Sequence, residues 1–194
     1  RSSDLVGLAL LALSPASAAQ ADPCEVIEDY LDRCAVHGWS GVVYVEFEGI
    51  VLLHRGYGLA DRGAKRLNEA DTLFEIASAT KPITACAIFA LIEDDRVALT
   101  DSIADHLPGV PDDKRAITIE HLLAHTSGMP RTAAGGHGTD LAAAVAAYLA
   151  PAPARPPGTE YEYWNGGYAL LAGVVAEASG ETYQDFCRKR LFER

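Results

Sequence analysis

Ser78-Ala79-Thr80-Lys81 is the part of the sequence where residue type and spacing suggest covalent chemistry. An alcohol and an amine three positions apart share one face of a helix. The segment stands where an extended approach, residues 72–77, turns into a strongly apolar helix over about 78–95. At a helix start, free backbone N–H groups and the positive end of the dipole face the serine oxygen. A lysine packed there among apolar residues is expected to lose proton affinity, and a neutral amine can take the proton of Ser78. The same residues also suit an N-cap serine followed by a solvated lysine, so this spacing leaves both readings open. Tyr163-Trp164-Asn165 is the second candidate. A phenol beside a cationic lysine can shuttle protons, and Asn165 offers both a donor and an acceptor to a substrate amide. The pair equally suits a core tyrosine followed by an N-cap asparagine.

Other chemistry-bearing residues lead less far. His121 and His125 stand four apart on an expected helix, a spacing that can hold zinc. Leu122 occupies the place where a zincin has Glu, and no acidic third ligand follows at a suggestive distance. The histidines are therefore expected to pack a helix end, and no metal or organic cofactor is expected. His137 lies in Gly135-Gly136-His137-Gly138, which no strand precedes and no Lys-Ser/Thr follows, so the run is not a phosphate loop. Cys24 and Cys34 lie ten residues apart on one expected helix, about 15 Å along its axis, and cannot bridge each other. Cys86 is expected to be buried in the helix that follows Ser78, and the pairing of Cys187 stays open.

These groups need a scaffold to hold them. The 194 residues carry 16 Lys and Arg against 27 Asp and Glu, a net charge of −11, and 49% are hydrophobic. That supports a packed domain and excludes a disordered chain. The acidic balance excludes nucleic acid as a partner, since phosphate contacts need clustered cations and the chain clusters them only at Arg188-Lys189-Arg190. Residues 23–37 read as a helix, capped by Asp22 and Pro23 and ended by Gly38. Residues 40–47 and 50–57 read as a β-hairpin turning at Glu48-Gly49, and 58–71 as a polar loop. After the helix at 78–95, residues 100–114 read as irregular. Helices follow at 119–125 and 140–149, with an exposed Gly-rich stretch at 131–139 between them. A stiff linker at 151–157 leads to a helix over 165–179, stopped by Gly180, and to a last amphipathic helix over 182–192. The fold class is α+β.

The ends carry their own signals. Residues 1–21 read as a truncated signal peptide: a short apolar run after Arg1, then small residues offering cleavage after Ala18 or Ala21. A periplasmic or secreted protein is expected, with no stable membrane span, acting as a monomer. The chain stops in an expected helix, at Leu191-Phe192-Glu193-Arg194, and reads as a fragment. Three regions are expected: 1–21, then 22–77 with the first helix and the hairpin, then 78–194 with the remaining helices.

Three motifs taken in order resemble one family. Phe74-Glu75-Ile76-Ala77-Ser78-Ala79-Thr80-Lys81 resembles the nucleophile motif of the serine β-lactamases and penicillin-binding proteins. His121-Leu122-Leu123-Ala124-His125-Thr126-Ser127-Gly128 resembles the "HLLxHTSG" stretch of that superfamily's class C-like branch, which includes D-alanyl-D-alanine carboxypeptidases and esterases. Pro157-Gly158-Thr159, with Tyr163-Trp164-Asn165-Gly166-Gly167-Tyr168, resembles its "PGxxxxYSNxGY" segment. The resemblance covers nearly everything after Pro23. It implies a β-lactamase/transpeptidase-like fold, an antiparallel sheet flanked by helices plus a helical domain, and a serine hydrolase acting on β-lactams, D-Ala peptides or esters. It implies Ser78 as the acylated nucleophile, Lys81 as its base partner, Tyr163 as the proton relay and Asn165 as the holder of the substrate amide. Trp164 stands where Ser is more usual and is expected to reshape the pocket mouth. The family's third motif, Lys/His-Thr/Ser-Gly on a closing strand, does not occur after Asn165. Two strands alone are marginal, so these residues by themselves are expected to be poorly stable and inactive. The rival expectation is a penicillin-recognition module that binds without turnover.

Overall fold

A computed structural model describes residues 22–131 and 140–193. The leader reading at 1–21 and the Gly-rich stretch 132–139 with His137 lie outside the described residues. The chain divides into two compact units at Glu75/Ile76.

In the first unit, α1 (Pro23–Val36) begins as its residues require. Asp22 accepts the Cys24 N–H at 2.9 Å, and Pro23 occupies the first turn. None of its residues is buried. β1 (Gly41–Phe47) and β2 (Ile50–Tyr57) form the expected antiparallel hairpin, with a bulge at Val45/Glu46. The loop expected at 58–71 instead holds a second small hairpin, β3 (Leu59–Asp61) with β4 (Arg66–Leu67). Side chains build it: the Asp61 carboxylate accepts the Ala64 N–H at 2.9 Å, and the buried Asn68 amide donates to the Tyr57 carbonyl and the Ser40 hydroxyl, both at 2.8 Å. Such side-chain-to-backbone bonds leave no hydrophobic period to read.

The second unit holds the core. α2 (Thr80–Glu93) is preceded by a 3-10 turn at Ala77–Ala79, so Ser78 sits in the tighter turn and not in the α-helix proper. Two further 3-10 turns and an isolated bridge from Ser102 to Thr118 order the segment expected to be irregular. α3 (Ile119–Leu123) stops two residues before the expected end, because His125 takes a left-handed backbone, φ +57°. α4 (Leu141–Leu149) and α5 (Asn165–Ser179) follow, the latter ending at left-handed Gly180 as expected. The helix expected at 182–192 is α6 (Tyr183–Cys187) followed by a wider π turn, Arg188–Phe192, which accompanies a two-pronged ion pair from Arg190 to Asp94 at 2.9 and 3.0 Å. Ile88 and Leu91 of α2, Ile119 and Leu122 of α3, and Leu170, Leu171, Val174 and Val175 of α5 are wholly buried together. Burying one such side chain contributes about 1.5–3 kcal/mol, so α5 is the central strut. Among the described residues no helix is long and apolar enough to cross a membrane.

Candidate active site

Three segments of the second unit meet around Ser78. The first is the turn into α2. Ala77 adopts φ +46°, a conformation that costs an L-residue about 1–2 kcal/mol, and the chain then coils so that Ser78 is exposed and Lys81 lies one turn on. The second is residues 125–128. The third is the run from Ala154 to Trp164, which the second segment holds in place. The Gly128 carbonyl accepts the Ala154 N–H at 2.9 Å, the Thr126 carbonyl accepts the Gly158 N–H at 2.8 Å, and the His125 carbonyl accepts the Glu162 N–H at 2.8 Å. Gly128 has φ +73°, and a Cβ there would lie 2.2 Å from the Arg155 carbonyl oxygen, so only glycine fits.

The result brings the four sequence candidates together. The Ser78 Oγ lies 2.6 Å from the Tyr163 hydroxyl. The Lys81 Nζ donates to the Ser78 Oγ at 3.1 Å and to the Asn165 Oδ1 at 2.8 Å. That ammonium also lies 4.7 Å from the Tyr163 ring centre and 5.6 Å from that of Tyr168. Lys81 and the Ser78 hydroxyl together hold the Tyr163 phenol below the usual tyrosine range. A hydroxyl touching both an amine and an acidified phenol can lose its proton without releasing it to bulk water. A cleft of about 370 Å³ adjoins the cluster, lined by Ala77, Ser78, Lys81, Thr84, Asn165 and Tyr183 among others. A larger groove of about 960 Å³ runs between α4 and the α5–α6 corner, and none of the four candidates lines it.

Several expectations need correcting. Asn165 is not the cap of α5; Trp164 holds that position, with no side-chain cap, and Asn165 is the first helical residue. Trp164 does not shape a pocket mouth. It is 5% exposed and packs edge-on to Tyr148, with ring centres 5.8 Å apart. Cys86 is exposed, not buried, while Cys187 is buried, and all four cysteines are free thiols. His121 closes a capping box at the start of α3: its Nδ1 accepts the Thr118 N–H at 3.1 Å, and the Thr118 hydroxyl accepts the His121 N–H at 3.2 Å. Among the described residues no group of three or more His, Cys, Asp or Glu is placed to hold a metal ion.

Sequence reasoning missed Tyr168 and Tyr183 as neighbours of the site. Tyr168 lies three residues after Asn165 on α5, a spacing that could have found it. Its hydroxyl donates to the Leu123 carbonyl at 3.2 Å, and burial raises its phenol above the usual range, as does the charge of Tyr163. Tyr183 shares a 2.8 Å hydrogen bond with the Thr84 hydroxyl, a contact between α2 and α6 that no local pattern signals.

The family model described as Beta-lactamase matches residues 25–194. A penicillin-binding protein of Bacillus subtilis (strain 168) is 32% identical over 171 residues, covering 80% of this chain and 36% of its own length. FmtA from Staphylococcus aureus superposes with a TM-score of 0.76 at 25% identity, over 89% of this chain and 48% of that one. The D-amino acid amidase from Ochrobactrum anthropi SV3, complexed with D-phenylalanine, superposes with a TM-score of 0.71 at 28% identity, over 87% and 49%. The chain spans less than half the length of each of these relatives. With a family match over most of its length and the β-lactamase/transpeptidase-like fold of these neighbours, the chain belongs to the Beta-lactamase family, within the superfamily of serine hydrolases and penicillin-binding proteins.

Proposed function

We propose that this chain carries the acylating centre of a serine hydrolase that acts on amide or ester carbonyls. The Ser78 oxygen attacks the carbonyl carbon while its proton passes to the Lys81–Tyr163 pair. The carbonyl oxygen takes up negative charge, which the Ser78 backbone N–H would stabilise as half of an oxyanion hole. As the tetrahedral adduct collapses, the C–N or C–O bond breaks and Tyr163 returns the proton to the leaving group. Water then attacks the ester on Ser78, releasing the acid and restoring the hydroxyl. The Asn165 side chain accepts from Lys81 through Oδ1, which leaves its NH₂ to donate to a substrate carbonyl.

The observation that carries this reading is the position of one exposed hydroxyl, 2.6 Å from a phenol and 3.1 Å from an amine. The likeness to a penicillin-binding protein and to a D-amino acid amidase supports substrates with a D-configured amide or a β-lactam ring. Export to the periplasm or beyond is part of the proposal, motivated by the leader-like sequence of residues 1–21.

The test is covalent labelling. Protein expressed from the complete reading frame is treated with a fluorescent penicillin and a fluorophosphonate, beside a Ser78→Ala variant. Labelling of the parent alone is expected, with the adduct mapped to Ser78. Absence of label from both probes would sink the reading. A stable penicillin adduct without ester or amide turnover would identify the binding module instead.

A further inference from the structure

His125 holds both neighbours of Tyr163. Its backbone carbonyl accepts the Glu162 N–H at 2.8 Å, and its ring Nδ1 accepts the Trp164 N–H at 3.2 Å. One residue thus anchors the chain immediately before and immediately after the phenol that touches Ser78. The ring also packs against Tyr163, with centres 4.6 Å apart at 38°, and against Tyr168, at 5.2 Å and 38°. The His125 backbone is left-handed, φ +57°. Histidine visits that conformation more readily than most side chains.

We propose that His125 is the positioning residue for Tyr163, a clamp that holds only while its Nδ1 is unprotonated. The proposal rests on reading Tyr163 as the proton relay. The logic is that of donors and acceptors. A neutral imidazole with its proton on Nε2 accepts the Trp164 N–H; an imidazolium presents a second N–H to it, and the two donors repel. Among the groups near the ring, the cation of Lys81 favours the neutral form. Lys81 acts through its charge from α2, while the rings of Tyr161 and Tyr163 pack from the segment before α5 and that of Tyr168 from α5 itself. The carboxylate of Glu162, whose N–H the His125 carbonyl accepts, is occupied by Arg155 at 3.0 Å. Burial, and then the charge of Lys81, accordingly hold His125 below the ordinary histidine value.

The experiment compares two variants that tolerate the left-handed backbone. In His125→Asn, the amide Oδ1 replaces Nδ1 as an acceptor that does not titrate; in His125→Gly, the acceptor is gone. In the protein expressed from its complete reading frame, His125→Gly is expected to lower the acylation rate at saturating probe by roughly tenfold to a hundredfold, the scale of a displaced catalytic group. His125→Asn is expected to stay within about threefold of the parent, and to lack the parent's acid limb, which lies below the ordinary histidine range. Equal loss in both variants, or an acid limb that survives in His125→Asn, overturns the proposal. If the parent is never acylated at Ser78, the hydrolase reading fails, yet the clamp can still be read by ¹⁵N NMR of labelled histidine. Nδ1 unprotonated at neutral pH, with the Trp164 amide following its titration, supports the clamp; Nδ1 protonated at neutral pH refutes it.

Discussion

Lys81 is the residue on which the proposed chemistry turns, because its one ammonium serves a hydroxyl, an amide oxygen and two aromatic faces. Its hydrogen bond is the first reason the Tyr163 phenol lies below the usual range, and its charge adds to that. Replacing it by the neutral, similarly long methionine removes that influence. Lys81→Met is expected to slow acylation by roughly 10²- to 10⁴-fold, the range lost with a positioned acid–base group. The sign of the accompanying pH shift follows. Losing the cation raises the phenol's pKa, so any limb that reports Tyr163 ionisation moves to higher pH. Ultraviolet difference titration of the phenol should show the same upward move, and an unchanged titration would detach Lys81 from Tyr163. At this scale the sequence was informative where contacts are local. The Ser78–Lys81 pair is one of the two arrangements that the three-residue spacing allows. Cys86 was misread because α2 is apolar on every side, which leaves no polar face to orient it; Phe89, three residues on, is half exposed as well. The role of His125 was hidden, since an expected helix through residue 125 conceals a residue that has already left it.

The start of α5 illustrates how elements hold the site. Tyr163 and Asn165 both project toward Ser78 and Lys81, while Trp164 between them turns inward. The alternation of an extended strand puts neighbours on opposite sides, and the buried indole fixes which side. Gly166 makes room for it: a Cβ there would stand 2.3 Å from the indole and 2.5 Å from the Tyr148 ring. Gly166→Ala offers a helix-propensity gain of up to about 1 kcal/mol, but overpacking of this kind costs about 1–3 kcal/mol. The steric term wins with two rings so close, and a net loss near 2 kcal/mol is expected by urea denaturation. Acylation should fall along with it, because the displaced indole lies between the two polar groups. α5 itself was legible to the residue, its end marked by a left-handed glycine. The β3–β4 hairpin and the π turn were not, because distant polar partners set them: Asn68 with Ser40, and Arg190 with Asp94.

Across the whole molecule, apolar burial is unevenly shared between the two units. Among the described residues, Leu53 and Tyr57 are the buried hydrophobic side chains of the first unit, whereas the second encloses a cluster that runs from Ala87 to Cys187. Opening free energy tracks buried contact, and a two-stranded hairpin is marginal in water. Amide hydrogen exchange on this chain should therefore be slowest in α2 and α5 and fast throughout Gly41–Tyr57; equal protection in both would contradict that ordering. The α+β class and the order of elements were readable from hydrophobic period and turn residues. The sequence could not reveal that 125–128 and 154–164 lie side by side, since backbone pairing between irregular segments has no periodic signature. The serine, amine, phenol and amide of the proposed site all belong to the second unit, carried by the 3-10 turn before α2, by α2, by α5 and by the short segment before α5. Divergence in whatever surrounds the cleft can then alter which molecules are admitted while the proton circuit is inherited untouched. A penicillin-binding protein and an amidase, both similar to this same stretch of chain, are the pattern such a division of labour would leave.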